Sequence, residues 1–210
     1  VRKRRSLRAV SDAVGEDIRR CRPQWPAEKG ETLHNRIDVA AVQAGVAPRA
    51  AAREALSLPQ EAPVIGNVGR LHPDKDQATL IRGFAAALPR LPAGTLLAIA
   101  GSGPLEAVLK AQAASLGIAD RVRFLGQVPD VRRYFSAFDL FVLSSDHEPF
   151  GMVLLEAMVA GVPVMATDCG GAPEVVADPA RLFPLRDATA LADKLAAFFA
   201  SAHDAGNVLE

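Results

Sequence analysis

Apolar residues fall in short, nearly unbroken runs, separated by longer stretches in which they recur every three or four positions. The runs are Val64 to Val68, T-L-L-A-I-A ahead of Gly101, Arg121 to Leu125, Asp139 to Leu143, Val162 to Ala166 and Arg181 to Phe183. A strand with one wet face alternates apolar and polar residues, so unbroken runs predict parallel strands buried on both faces. Between them the spacing predicts helices from about Asp76, over Leu105 to Leu116 with Gly117 as the stop, over Val131 to Phe138, from Gly151 onward, as a single turn at Pro173 to Val176, and over Ala188 to Ala200. Upstream, residues 47 to 56 have helical spacing that Pro59 and Pro63 end. Residues 4 to 22 read as a short strand finishing near Val10 and a helix capped by Ser11 or Asp12. After the breakers Pro23, Pro26 and Gly30, residues Thr32 to Val39 read as a short strand and turn. Strand and helix thus alternate about six times with short loops and no hairpin signal, which predicts an α/β fold: a doubly wound parallel sheet with helices on both faces.

Composition narrows the function. A chain of 210 residues, 50% of them hydrophobic, can bury on the order of 70% of its unfolded surface. One compact domain plus a flanking segment is the expected count. The formal net charge is zero, so no global field points to nucleic acid or to an acidic membrane. Arg2, Lys3, Arg4, Arg5 and Arg8 form a local basic cluster; it could touch anionic lipid or nucleic acid, and a solvated chain end is the simpler reading. Cys21 and Cys169 stand apart with no metal-ligand or redox spacing, and read as free thiols in a reducing cytosol. No apolar run reaches the roughly 18 residues of a membrane span. The opening Val1 and the closing Leu-Glu are read as marks of a piece excised from a longer protein.

The candidate chemistry centres on S-S-D-H-E-P-F-G-M-V-L-L-E-A-M-V-A-G, Ser144 to Gly161, which joins two of the predicted strands. Gly151 falls where a helix starts after Pro149, and its missing side chain lets a ligand approach the N–H groups of Met152 and Val153. Unpaired amides and the helix dipole make such a start attractive to phosphate. Glu148 on the loop and Glu156 within the helix are better suited as acceptors for hydroxyls of a sugar and a ribose attached to that phosphate. Gly66 and Gly69, at the end of the Val64 to Val68 strand, allow close backbone approach. The G-S-G of Gly101 to Gly103 is open to two readings, a phosphate loop or a plain strand-to-helix turn. His72 and His147 read as bystanders beside the site and His34 as a strand or turn residue. Ser144 has no partner histidine, and the G-x-S-x-G elbow of a hydrolase is absent.

The string E-P-F-G-M-V-L-L-E-A-M-V-A-G-V-P-V resembles the E-x(7)-E signature of the retaining GT-B glycosyltransferases of family 4, and Gly170, Gly171 and Glu174 stand at places similar to that family's G-G-x-x-E. The resemblance runs from Val10 onward and covers one half of a GT-B enzyme. It implies a Rossmann-like donor-binding domain over residues 31–210, with residues 1–30 a remnant of the amino-terminal domain and its linker helix. It places Arg70 and Lys75, from G-R-L-H-P-D-K-D, on the nucleotide diphosphate, and the main chain at Val128 on the base. Two positions depart from the pattern. Arg36 stands where the family's strand entry has glycine, and Asp76 replaces the glycine after Lys75, where a carboxylate would repel phosphate unless turned outward.

The chemistry implied is transfer of a sugar from a nucleoside diphosphate sugar, UDP-sugar first and GDP-sugar second, to a glycan, lipid or other acceptor. A separate amino-terminal domain would bind the acceptor, and the full-length protein would be cytoplasmic with peripheral membrane contact. With no His/Asp cluster at metal-ligand spacing, Arg70 and Lys75 are expected to stabilise the leaving diphosphate in place of a cofactor or metal. Two alternatives stay open: a non-catalytic nucleotide-sugar-binding module that needs a partner chain, and a sugar-nucleotide epimerase.

Overall fold

The computed structural model describes residues 7–24 and 30–207. The basic residues Arg2, Lys3, Arg4 and Arg5, and the closing Leu209 and Glu210, lie outside them. Two parallel sheets are present. The smaller pairs β1 (Leu7–Ala9) with β2 (Gly30–Thr32), on either side of helix α1 (Asp12–Cys21). The larger holds β3 (Val64–Val68), β4 (Leu96–Ala100), β5 (Val122–Gly126), β6 (Leu140–Leu143), β7 (Val164–Thr167) and β8 (Leu182–Phe183), in the order β5-β4-β3-β6-β7-β8. Every paired neighbour is parallel. The expected α/β, Rossmann-like doubly wound architecture is therefore observed.

Alternation along the strands assigns side chains to two cores. Ile65, Leu97, Ile99, Leu140, Val142 and Met165 point to one face, where α4 (Gln77–Ala87), α5 (Glu106–Ser115) and α8 (Ala188–Asn207) cover them. Val64, Ala98, Phe141, Leu143, Val164 and Ala166 point to the other, under α3 (Arg49–Ala55), the 3₁₀ segment Val131–Ala137, α6 (Met152–Val159) and α7 (Ala172–Val176). This double burial is why the strands read as unbroken apolar runs. Arg53 is the exception within the second core: fully buried, it pairs with Asp139 at 2.9 Å and donates to the carbonyls of Pro59, Ala62 and Ala137. It thereby stitches the approach to β3 to the approach to β6, the two strands that carry the site.

Three expectations are corrected. The second strand is the polar Gly30–Thr32 rather than Thr32 to Val39, because pairing with β1 and not an apolar face defines it. Helix α2 (Val39–Gly45) was not anticipated; none of its residues is buried. The closing helix runs on past Ala200 to Asn207. Arg36 is not among the residues with positive φ, so the glycine-like turn there is not formed.

Candidate functional site

The sheet order reverses between β3 and β6, which are neighbours although β4 and β5 intervene in sequence. In such sheets the loops leaving the two strands at this point diverge and open a crevice at their carboxyl ends. Here those loops carry Gly69 to Asp76 and Ser144 to Gly151.

The first loop leaves β3 through Gly69 and Arg70 and closes in a 3₁₀ turn, Pro73–Lys75. Its path is set from behind by Gly101: a Cβ there would lie 1.9 Å from the Gly69 carbonyl oxygen. The absence of a side chain at Gly101 therefore lets the β4 loop pack against the β3 loop. Gln77, buried at the start of α4, donates to the Arg70 carbonyl at 2.9 Å. Arg70 itself is 72% exposed and reaches Asp74 at 3.1 Å. Partial burial pushes the Asp74 carboxyl up, but the hydrogen bond and charge of His72, with Arg70 and Lys75, outweigh it and hold the group below the usual range. Asp76 adopts the left-handed conformation, φ 40°, that glycine would take more easily, and its carboxylate caps α4 by accepting from Thr79 N–H at 3.2 Å. One carboxylate oxygen, Oδ1, is thus engaged with the helix start, while Oδ2 is buried without a hydrogen-bond partner.

The second loop is anchored to the first. Ser144 Oγ donates to the Lys75 carbonyl at 2.8 Å, and Asp146 N–H to the Asp74 carbonyl at 3.0 Å. Lys75 then extends along the crevice over Gly69 and ends 3.2 Å from Glu148 Oε2 and 3.3 Å from Ser145 Oγ. The Lys75 and Glu148 side chains are 22% and 12% exposed. Asp146 accepts from His147 and, at 3.0 Å, from Arg186; the His147 bond is the larger cause of its depressed pKa, with burial opposing. His72 and His147 thus orient loop carboxylates.

Glu148 owes its position to the loop after β7. A Cβ on Gly170, φ 55°, would lie 2.1 Å from the Glu148 carbonyl oxygen, and Gly171 N–H donates to that oxygen at 2.8 Å. Beyond Glu148 the chain turns through Gly151, φ 97°, into α6, and no side chain caps the first turn where Met152 and Val153 lie. Glu156 sits further along α6. Burial pushes its carboxyl up, Arg132 opposes that and Asp130 adds to it. Val128 lies on the loop after β5 and lines a cleft of about 500 Å³ with Ser57, Gln127, Pro129 and Tyr134.

The structure thus brings Lys75 and Glu148 into contact, sets Gly69 beneath Lys75, and places Arg70 on the same loop and Gly151, Met152 and Val153 just beyond. Glu156 and Val128 lie further out, towards the Gln127 to Arg133 segment. Sequence spacing did not reveal Asp74, Ser144, Ser145 or Asp146 as the ties between the loops; only the adjacency of β3 and β6 explains them. It also missed that Asp12, His34 and Glu174 offer ligand atoms within 4.8 Å of one another. Glu174 is already spent there on two backbone amides and on His34. Among the described residues no helix is long and apolar enough to cross a membrane.

Comparison with known proteins agrees with this geometry. The chain is 41% identical over 119 residues to the lipopolysaccharide core biosynthesis glycosyltransferase LpsE of Rhizobium meliloti (strain 1021), covering 57% of this chain and 34% of that protein. It is 35% identical over 155 residues to the mannosyltransferase LpsB of the same organism, covering 70% and 44%. The chain therefore spans less than half the length of these relatives. Anabaena Alr3699/HepE, solved in complex with UDP and glucose, superposes with a TM-score of 0.78 at 26% identity over 94% of this chain and 54% of that one. A family model described as glycosyl transferases group 1 matches residues 48–206, and on that match, over the six-stranded sheet and both loops of the crevice, the chain belongs to the glycosyl transferases group 1 family.

Proposed function

We propose that this chain is the donor-binding, carboxy-terminal half of a retaining, metal-independent GT-B glycosyltransferase that takes a UDP-sugar. The observation that carries the reading is the contact between Lys75 and Glu148 at the crossover of the sheet. A cation beside a carboxylate, next to an uncapped helix start, matches a ligand with both phosphate and hydroxyl groups. On this reading the diphosphate lies between Arg70, Lys75 and the amides of Met152 and Val153. Glu148 accepts from sugar hydroxyls, Glu156 accepts from the ribose, and the main chain at Val128 meets the base. Gly69 and Gly151 keep the backbone close enough for these contacts, and Gly101 supports Gly69 from behind.

As the bond from the sugar C1 to the phosphate oxygen breaks, negative charge grows on the leaving diphosphate. Fixed cations and oriented amides stabilise that charge, each about 3 kcal/mol in comparable sites. The acceptor hydroxyl oxygen then forms its bond to C1 on the face the diphosphate vacates, and its proton passes to the departing diphosphate. UDP is favoured as nucleotide because HepE, which shares the fold and 26% identity, was solved with it. The named roles of LpsE and LpsB in lipopolysaccharide core synthesis favour a glycan or lipid acceptor. That acceptor would be held by an amino-terminal domain joined through residues 1–30, in a cytoplasmic enzyme with peripheral membrane contact.

Calorimetric titration with UDP in the presence of a metal chelator tests the reading. Saturable binding that survives the chelator and weakens in both Arg70→Ala and Lys75→Ala is expected. Binding that the chelator abolishes would overturn metal independence, and silence with UDP, GDP and ADP alike would overturn the donor assignment.

A further inference from the structure

We propose that Glu174 is a positioning residue that latches α1 to the donor loop, so that docking of α1 and seating of the donor diphosphate are coupled. The inference rests on the donor assignment above only for the identity of the ligand.

The first turn of a helix leaves amides without intrahelical partners. In α1 Glu174 satisfies two of them, Oε2 accepting from Asp12 N–H at 2.9 Å and Oε1 from Ala13 N–H at 3.0 Å. Ser11 Oγ accepts from the third, Val14 N–H, at 3.1 Å. The same Glu174 Oε2 lies 3.0 Å from His34 Nε2, and the His34 ring stacks on Phe150 with centroids 5.7 Å apart. Since α1 follows β1 and His34 follows β2, one carboxylate ties both strands of the small sheet to α7.

The other end of this path is the site. Gly171, at the start of α7, donates to the Glu148 carbonyl at 2.8 Å, and Phe150 directly precedes Gly151. A shift of the Glu148 to Gly151 segment on donor binding is therefore transmitted to Glu174 through Gly171 and to His34 through Phe150. Packing at α1 comes from Gly15 against Ala9 and Thr32 of the small sheet and from the buried Ser11 beside Gly171. The helix is ten residues long and buries only Gly15, and a helix of that length is marginal by itself. Val10 packs on the second core and supplies apolar contact; Glu174 supplies the directional, charge-assisted one.

Hydrogen exchange measured by mass spectrometry on this chain, with and without saturating UDP, tests the latch in the wild type, Glu174→Ala and Glu174→Gln. Glu174→Ala is expected to speed exchange of the α1 amides about tenfold or more while leaving α4 and α8 unchanged. UDP should slow α1 exchange in the wild type and not in the variant. Because coupling is reciprocal, the variant's UDP affinity should fall, by at most the factor by which UDP protects α1 in the wild type; a purely structural cap would not move it. If alanine loosens α4 and α8 as well, the glutamine variant, which keeps one amide acceptor, carries the test with an intermediate effect. Unchanged α1 exchange in both variants, or UDP binding without α1 protection in the wild type, overturns the latch. If UDP fails to bind the wild type, the donor assignment and the coupling fall together, and exchange in the unliganded variants still decides whether Glu174 holds α1.

Discussion

Replacing Lys75 by alanine removes the cation that lies 3.2 Å from Glu148 Oε2 and leaves a carboxylate that is only 12% exposed facing the crevice. Two effects then act on a bound diphosphate. Losing one charge-assisted hydrogen bond to the diphosphate costs about 1.5–3 kcal/mol, roughly 10- to 150-fold in affinity. The unpaired Glu148 also repels the phosphates: at an effective dielectric of about 20, like charges about 6 Å apart interact by roughly 3 kcal/mol before screening, of which a fraction survives near physiological salt. Lys75→Ala should therefore weaken UDP binding by about 100-fold or more. Glu148→Gln alone frees Lys75 from its competing partner, so UDP without a sugar should bind as well as to the wild type or up to about fivefold tighter. The double variant should recover about tenfold relative to Lys75→Ala, a coupling of about 0.4 to 1.4 kcal/mol as the gain from Glu148→Gln alone runs from about fivefold to none. UDP-sugar should behave differently, since Glu148→Gln loses the acceptor for its hydroxyls. Calorimetry on the four proteins at one ionic strength reads all of these. Lys75→Ala within threefold of the wild type, or an additive double variant, would refute the reasoning.

Gly101→Ala puts a methyl group 1.9 Å from the Gly69 carbonyl oxygen; it should cost about 3 kcal/mol or more of stability and displace the loop that starts at Gly69, read as a lower Tm with loss of UDP binding. Glu156 has a folded pKa raised by burial, so the stability its neutral form carries is present below the ordinary glutamate value and lost as pH rises through the raised one. Glu156→Gln should accordingly raise Tm at about pH 7.5 and leave it unchanged near pH 3.5, while weakening UDP binding through the ribose; a Tm gain of equal size at both pH values would contradict this. Asp76→Gly relieves the left-handed backbone but removes the cap on Thr79 N–H, two effects of about 1 kcal/mol and opposite sign. Its Tm should barely move and its UDP affinity should stay within about twofold; a large gain in affinity would mean that Asp76 does repel the ligand.

The sequence made β3, β4, β6 and β7 visible because they are buried on both faces and read as apolar runs, while edge strand β5 keeps an exposed Arg123. It hid α2, whose residues are all solvent-accessible, and misplaced β2, whose G-E-T owes its conformation to pairing with β1. In the site, Gly151 and the helix after it were legible from a local rule, since a glycine ahead of an apolar helical stretch needs no tertiary knowledge. The contact of Lys75 with Glu148 was not, because it depends on β3 and β6 being neighbours across a reversal of strand order. Asp76 shows the limit of reading one residue against a motif. Its charge suggested repulsion, while its backbone and side chain together make it a helix cap. Glu174 stood in the G-G-x-x-E string without a role, and only the approach of α1 to α7 gives it one.

The account's central claim is that a nucleoside diphosphate binds at the carboxyl ends of β3 and β6. Titrating isotopically labelled chain with UDP and following backbone amide shifts by NMR tests this most directly. Shifts concentrated at Gly69 to Lys75 and at Ser144 to Val153, with smaller ones around Val128 and Glu156, are predicted. Saturable shifts confined to the opposite edge of the sheet, at Leu88 to Gly94 and Gly117 to Arg121, would place the nucleotide elsewhere and contradict the account.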